Sequence, residues 1–177
     1  MARRRGSAEL VSRATAAEAA ARRAAGWESA RALLAGDPLL DELGLPDALA
    51  GAGVEVLRWP EGRGKGWRDL LGLDGPATCG VTVPVRAVAE RGTMVLATDA
   101  GHGRSIDVVS MHHLAVLPLS RVRLTLGEAL AETYASGAAP SAVSLVSGPS
   151  RTSDIEKIST LGAHGALAMH VLMIEDM

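Results

Sequence analysis

The chain has 177 residues, 47% of them hydrophobic and 21% charged, with a formal net charge of −2, which is the size and composition of one soluble domain with a proper core. A chain whose main partner is nucleic acid carries a basic surplus, absent here, and with no Phe, three Trp and one Tyr it has no aromatic platform for stacking bases. The lone cysteine, Cys79, excludes an intramolecular disulfide and any Cys-ligated iron–sulfur cluster held by this chain alone, and it reads as a small buried residue.

The opening "MARRRGS" has the charge of a secretory signal, but polar, alanine-rich sequence follows in place of an apolar segment. No stretch reaches the roughly 18 apolar residues that a membrane span needs, so a cytoplasmic protein without a membrane partner is expected. Residues 8–35 are mostly strong helix formers, with Leu10, Ala14, Ala17, Ala21 and Ala24 at helical spacing. They predict an N-terminal helical arm over 1–36, ahead of a single α/β domain over 37–177. So narrow an alanine stripe buries little area, and the arm packs either on that domain or on a second subunit in a homo-oligomer.

Residues 37–53 read as a connection with a short helix, and "VEVLRW" (54–59) as a strand. "PEGRGKGWRD" (60–69) invites a phosphate-loop reading but lacks the G-x-x-x-x-G-K-[ST] spacing, so it is expected to be a surface loop. In "PVRAVAERG" (84–92), Pro84 and Gly92 sit where a helix start and a C-terminal glycine belong, which predicts a helix. "TMVLAT" (93–98), "LAVLP" (114–118), "AVSLVS" (142–147) and "AMHVLMIE" (168–175) are continuous apolar runs, the pattern of strands buried on both faces. Thr125-x-x-Glu128 is a capping box opening a helix with Leu126, Leu130 and Tyr134 on one side. Strands alternating with helices predict an α/β fold with a mostly parallel sheet shared by all the apolar runs. Ligands of such sheets sit beyond the carboxyl ends of strands. Two loops with suitable chemistry leave such ends, "DAGHGR" (99–104) and "SGPSRTSDIEK" (147–157).

Within the second loop, Ser153 and Glu156 fit a capping box, and Asp154 suits a first helical turn. Capping leaves Ser150, Arg151 and Thr152 unexplained. Arg151 can clamp a small carboxylate or phosphate, with the two hydroxyls and loop amides adding donors. The five histidines show no metal-binding spacing, so no metal site is expected. His170 reads as a core histidine. His102 and His164, each beside glycine, suit either a ligand contact or a structural bond to backbone. A Ser150–His164–Asp99 triad lacks the nucleophile elbow that would support it. Glu90, directly before a strand, is either a partly desolvated nucleophile or base or a solvated helix-end residue.

Three stretches together, "AVAERGTMVL" (87–96), "HHLAVLP" (112–118) and "SGPSRTSDIEKISTLGAHGALAMHVLMIED" (147–176), resemble the LUD-domain family, the LutC-type lactate-utilization proteins. The family pattern reads A-x-A-E-x-G-T, then P-x-x-H, then G-P-S-x-T-x-D-I-E followed by G-x-H-G. Carried over by motif, the marked residues are Glu90, Gly92, Thr93, Gly148, Pro149, Ser150, Thr152, Asp154, His164 and Gly165. Ala166 replaces the proline expected after H-G, and the proline ahead of the strand histidine is missing. The resemblance implies a fold like the NagB/RpiA/CoA-transferase group, an α/β sandwich. It also implies an accessory role in oxidising lactate to pyruvate, beside separate iron–sulfur proteins that hold the clusters, with no cofactor on this chain. In related CoA transferases a glutamate before a strand is the acyl nucleophile. By that analogy Glu90 supports a second reading, a free-standing transferase or hydrolase of CoA thioesters or sugar phosphates. A third is a structural or regulatory partner without ligand.

Overall fold

The computed structural model describes residues 6–59, 78–135, 139–153, 159–161 and 165–177. Its strands are β1 (Gly6–Val11), β2 (Arg31–Leu34), β3 (Glu55–Arg58), β4 (Thr78–Thr82), β5 (Arg86–Val88), β6 (Thr93–Thr98), β7 (His112–Pro118), β8 (Val122–Arg123), β9 (Ala142–Val146), β10 (Arg151–Ser153), β11 (Ser159–Leu161) and β12 (Ala168–Ile174). The described α-helices are α1 (Ala16–Gly26), α2 (Pro38–Glu42), α3 (Leu45–Gly51), α4 (Ser105–Val109) and α5 (Leu126–Ala135). None of them is long and apolar enough to cross a membrane.

Six strands form an all-parallel sheet in the order β1-β12-β7-β4-β2-β3. Its central strand β7 is buried along Leu114, Ala115, Val116 and Leu117, as its continuous apolar run requires. One core joins α1, α2 and α3 to the sheet, with Leu34, Leu40, Leu45, Leu49, Leu114 and Leu172 at its centre. Helix α1 enters it through Ala16, Ala19, Ala20 and Ala24. Small side chains let that helix lie close to the sheet, and Arg23 and Trp27 remain at its end.

Among the described residues, the helical arm expected over 1–36 is helical only at Ala16–Gly26, and its buried face is not the expected stripe: Leu10 is 53% exposed. Gly6–Val11 and Arg31–Leu34 are strands of the main sheet instead. Pairing with β12, in register from Gly6↔Met169 to Val11↔Ile174, overrides the local helix preference.

The apolar runs do not share one sheet. β6 and β9 belong to a second, four-stranded sheet of order β8-β5-β6-β9, in which β6 is antiparallel to both neighbours. Residues 84–92 are not a helix: Arg86–Val88 is β5, and it turns back into β6 through residues 89–92. A connection that short permits only antiparallel pairing, because a parallel crossover takes about a dozen residues. Gly92, with φ +59°, supplies the left-handed backbone of that turn. Helix α5 covers this sheet through Leu126, Ala129 and Leu130, while Tyr134 is 53% exposed. Its capping box is present: the Thr125 amide donates to Glu128 Oε2 at 3.1 Å and the Glu128 amide to Thr125 Oγ1 at 3.3 Å. Met94, Ala115 and Met169 join the two sheets.

The helix that Ser153 would cap begins at residues outside the described ones. Ser153 itself lies in β10, antiparallel to β11 and opposite Ser159. Asp154, Glu156, His164 and the glycine-rich loop 60–69 lie outside the described residues.

Candidate functional site

Loop 99–104 is fixed before it reaches α4. Asp99 Oδ1 accepts from the amides of Gly101 at 2.7 Å and His102 at 2.8 Å. The Gly36 amide donates to the Gly101 carbonyl at 2.7 Å, and Trp59 Nε1 to the Ala100 carbonyl at 3.1 Å. Any side chain at Gly103 would overlap the Trp59 ring. Thus strapped, α4 lies on Gly80 of β4 and brings Asp107 inward.

Asp107 and His102 are 6% and 7% exposed. His102 Nε2 stands 3.7 Å from Asp107 Oδ1, too far for a hydrogen bond, and neither atom has a partner among the described residues. His113, on β7, is 1% exposed and bonds through Nε2 to Thr82 Oγ1 at 2.8 Å. Burial pushes its pKa down to about 4, with the Asp107 charge opposing and His102 adding, so the ring is neutral at pH 7.

Asp107 and His113 line a cavity of about 380 Å³ together with Ser144–Gly148, Ser150 and Gly165. That wall is tied together. Thr93 Oγ1 and Ser147 Oγ share a 2.7 Å hydrogen bond, and the Ser150 amide donates to the Ala166 carbonyl at 2.9 Å. Gly148 and Gly165, at φ +155° and +153°, occupy backbone conformations that side chains resist. Of the residues marked in the sequence, Gly148, Ser150 and Gly165 line this cavity, and Thr93 supports it through Ser147. Pro149 packs towards Gly6 of β1. Arg151 and Thr152 follow immediately as the start of β10. Glu90 and Gly92 are exposed on the β5–β6 turn, where the Glu90 amide donates to the Leu124 carbonyl at 3.3 Å.

The cavity lies at the carboxyl end of β9 but at the amino ends of β7 and β12, since His113 and Met169 are second residues of their strands. Beyond the carboxyl ends of β2 and β4 is a larger space of about 710 Å³, adjoined by one of about 410 Å³. Its cations are engaged. Arg86 bonds Glu132 at 2.6 Å, and Arg121 bonds the Pro84 carbonyl at 3.0 Å. Asp37 and Asp99 share its wall.

Asp107 and His113 escaped the reading of the sequence. The available signal was a single carboxylate inside the apolar run "SIDVVSMHH". Cys79 is buried, and desolvation raises its thiol to about 12, so it is inert as a nucleophile at neutral pH.

The family model of the LUD domain matches residues 1–174. Lactate utilization protein C of Halalkalibacterium halodurans is 31% identical over 144 residues, covering 79% of this chain and 60% of that protein. The uncharacterized protein YkgG of Escherichia coli is 33% identical over 172 residues, 95% of this chain and 73% of its own length. Lactate utilization protein C of Bacillus subtilis is 28% identical over 148 residues, 79% of this chain and 60% of that protein. The chain thus spans about 60% of the length of both lactate utilization proteins. A crystal structure of a DUF162 family protein from Deinococcus radiodurans shares the fold, with a TM-score of 0.66 at 20% identity over 96% of this chain and 88% of the other. The motifs at 87–96 and 147–176, the mixed α/β architecture and the match over nearly the whole sequence agree: the chain belongs to the LUD domain family.

Proposed function

We propose that this chain is a component of a lactate-utilization system and that it holds a small carboxylate in the cavity between α4 and residues 147–150. The observation that carries this reading is the meeting, in one cavity, of the motif residues Gly148, Ser150 and Gly165 with the buried Asp107 and His113. Loop amides and hydroxyls serve the ligand's carboxylate, and Arg151, the next residue after Ser150, is assigned as its cation. Names borne by the relatives support the choice of lactate chemistry. Electrons leave through separate iron–sulfur proteins. A lone, buried cysteine does not fit a cluster, which takes about four thiolates.

Calorimetric titration of the purified chain with L-lactate, pyruvate and inorganic phosphate tests the pocket. Deleting the gene and measuring growth on lactate tests the role. Binding of a three-carbon acid and lost growth are the expected results. A chain that binds none of them, from a host that grows normally on lactate without it, overturns the proposal.

A further inference from the structure

Loop 99–104 contributes nothing to the wall of the 380 Å³ cavity. It borders the space beyond the carboxyl ends of β2 and β4, the place where parallel sheets hold their ligands. The cavities of about 710 and 410 Å³ there have Asp37, Val85, Ala97, Asp99 and Ala100 in common, so they are contiguous. Each has the volume of a small-molecule site. The carboxylates in that wall are only half used by the fold. Asp99 Oδ1 accepts from the Gly101 and His102 amides, and Asp37 Oδ1 from the Leu39 amide at 2.9 Å. Oδ2 of each accepts no hydrogen bond among the described residues. Arg121 commits one N–H to the Pro84 carbonyl and stands 3.9 Å from Asp37 Oδ2, beyond hydrogen-bond distance. A guanidinium carries five N–H donors, so donors remain on Arg121. The two side chains are 30% and 29% exposed, within reach of a ligand.

We propose that this space is a second ligand site and that it recognises a vicinal diol on a neutral, polyhydroxylated molecule. An anion would face Asp37 and Asp99 there, and a cation would face Arg86 and Arg121. A hydroxyl both donates and accepts, so two neighbouring hydroxyls satisfy a carboxylate and a guanidinium together. One donates to Asp37 Oδ2 and the other accepts from Arg121, which closes the gap between them. Val85 and Ala97, in the wall common to both cavities, offer apolar surface to the carbon skeleton of the ring. Among the described residues this site shares no lining residue with the carboxylate cavity, so the two readings stand or fall separately.

The test is calorimetric titration of the full chain with adenosine, 2′-deoxyadenosine and D-ribose. Adenosine carries the diol on a nucleoside and D-ribose on a free sugar, while 2′-deoxyadenosine lacks it. Adenosine is expected to bind the wild type about tenfold or more tighter than 2′-deoxyadenosine, as sites built around a substrate hydroxyl do. Binding of D-ribose identifies a free sugar as sufficient, and binding of adenosine alone identifies a nucleoside as the ligand. Asp37→Asn keeps an oxygen for the Leu39 amide, because Asn caps as well as Asp, but turns the second acceptor into a donor. That variant and Arg121→Gln should each weaken whichever diol binds by about tenfold or more. Thermal unfolding shows which variants are folded; should one fail to fold, the other decides. Equal binding of the two nucleosides, full affinity in a folded variant, or binding of neither adenosine nor D-ribose overturns the proposal.

Discussion

Gly80 on β4 and Ile106 on α4 meet backbone to backbone. A Cβ on Gly80 would overlap the Ile106 carbonyl oxygen and stand 2.8 Å from Ser110 Oγ. The helix that carries Asp107 can therefore lie this deep only over a glycine. Gly80→Ala must push α4 outward, since a carbonyl cannot rotate away as a long side chain does. The expected cost is about 1–3 kcal/mol, as for other overpacked interiors. Urea unfolding measures it, and carboxylate binding should fall with it because Asp107 moves.

Acid should destabilise this protein through two core histidines. His113 and His170 are each 1% exposed, and burial above all lowers both from the ordinary 6.5 to about 4. Arg23 adds to the effect at His170, while Glu9 opposes it. Between pH 6.5 and 4 the unfolded chain takes up protons that the native rings refuse, so stability falls as pH falls through that window. Below it both states are protonated and these rings add no further loss. Each is worth on the order of 1–3 kcal/mol across the window. Guanidinium melts at pH 7 and pH 4.5 check the sign, and the His113→Gln variant should show a shallower decline than the wild type.

At the start of α5 the reciprocal bonds between Thr125 and Glu128 satisfy two amides that no turn of helix can reach. Thr125→Ala should cost ~1 kcal/mol. It should lower the urea midpoint without altering the slope, because no change in buried area accompanies it.

Ser150 and Arg151 separate pocket from scaffold. Ser150 lines the cavity, and Arg151 follows it at the start of β10. Ser150→Ala and Arg151→Ala should leave the melting temperature close to that of the wild type while weakening carboxylate binding about tenfold or more, the loss expected for a charge-assisted contact. A full-affinity Arg151→Ala would remove that residue from the ligand's carboxylate.

What could be read in advance followed from local physics. The runs at 93–98, 114–118 and 168–175 lie in strands β6, β7 and β12, as short continuous apolar runs do in a buried sheet. Burial, however, does not say which sheet a strand joins, and β6 and β9 went to the second one. Pro84 and Gly92 punctuate a hairpin as readily as a helix. Of the site, the glycines and Ser150 were visible as an excess of small polar groups over what capping needs. Asp107 was not, because its neighbours in the cavity come from β7, β9 and β12, brought together only by tertiary pairing.

The pairing of β1 has a consequence for how the protein is made. Its hydrogen-bonded neighbour in the sheet is β12, and the Ser7–His170 bond spans 163 positions. During synthesis, β1 leaves the ribosome without its β12 partner and waits until residues 168–174 emerge. Closing so long a loop makes this step a late and slow one. From the synthesis of residues 6–11 to that of residues 168–174 the chain therefore carries an open strand edge, able to pair with another chain.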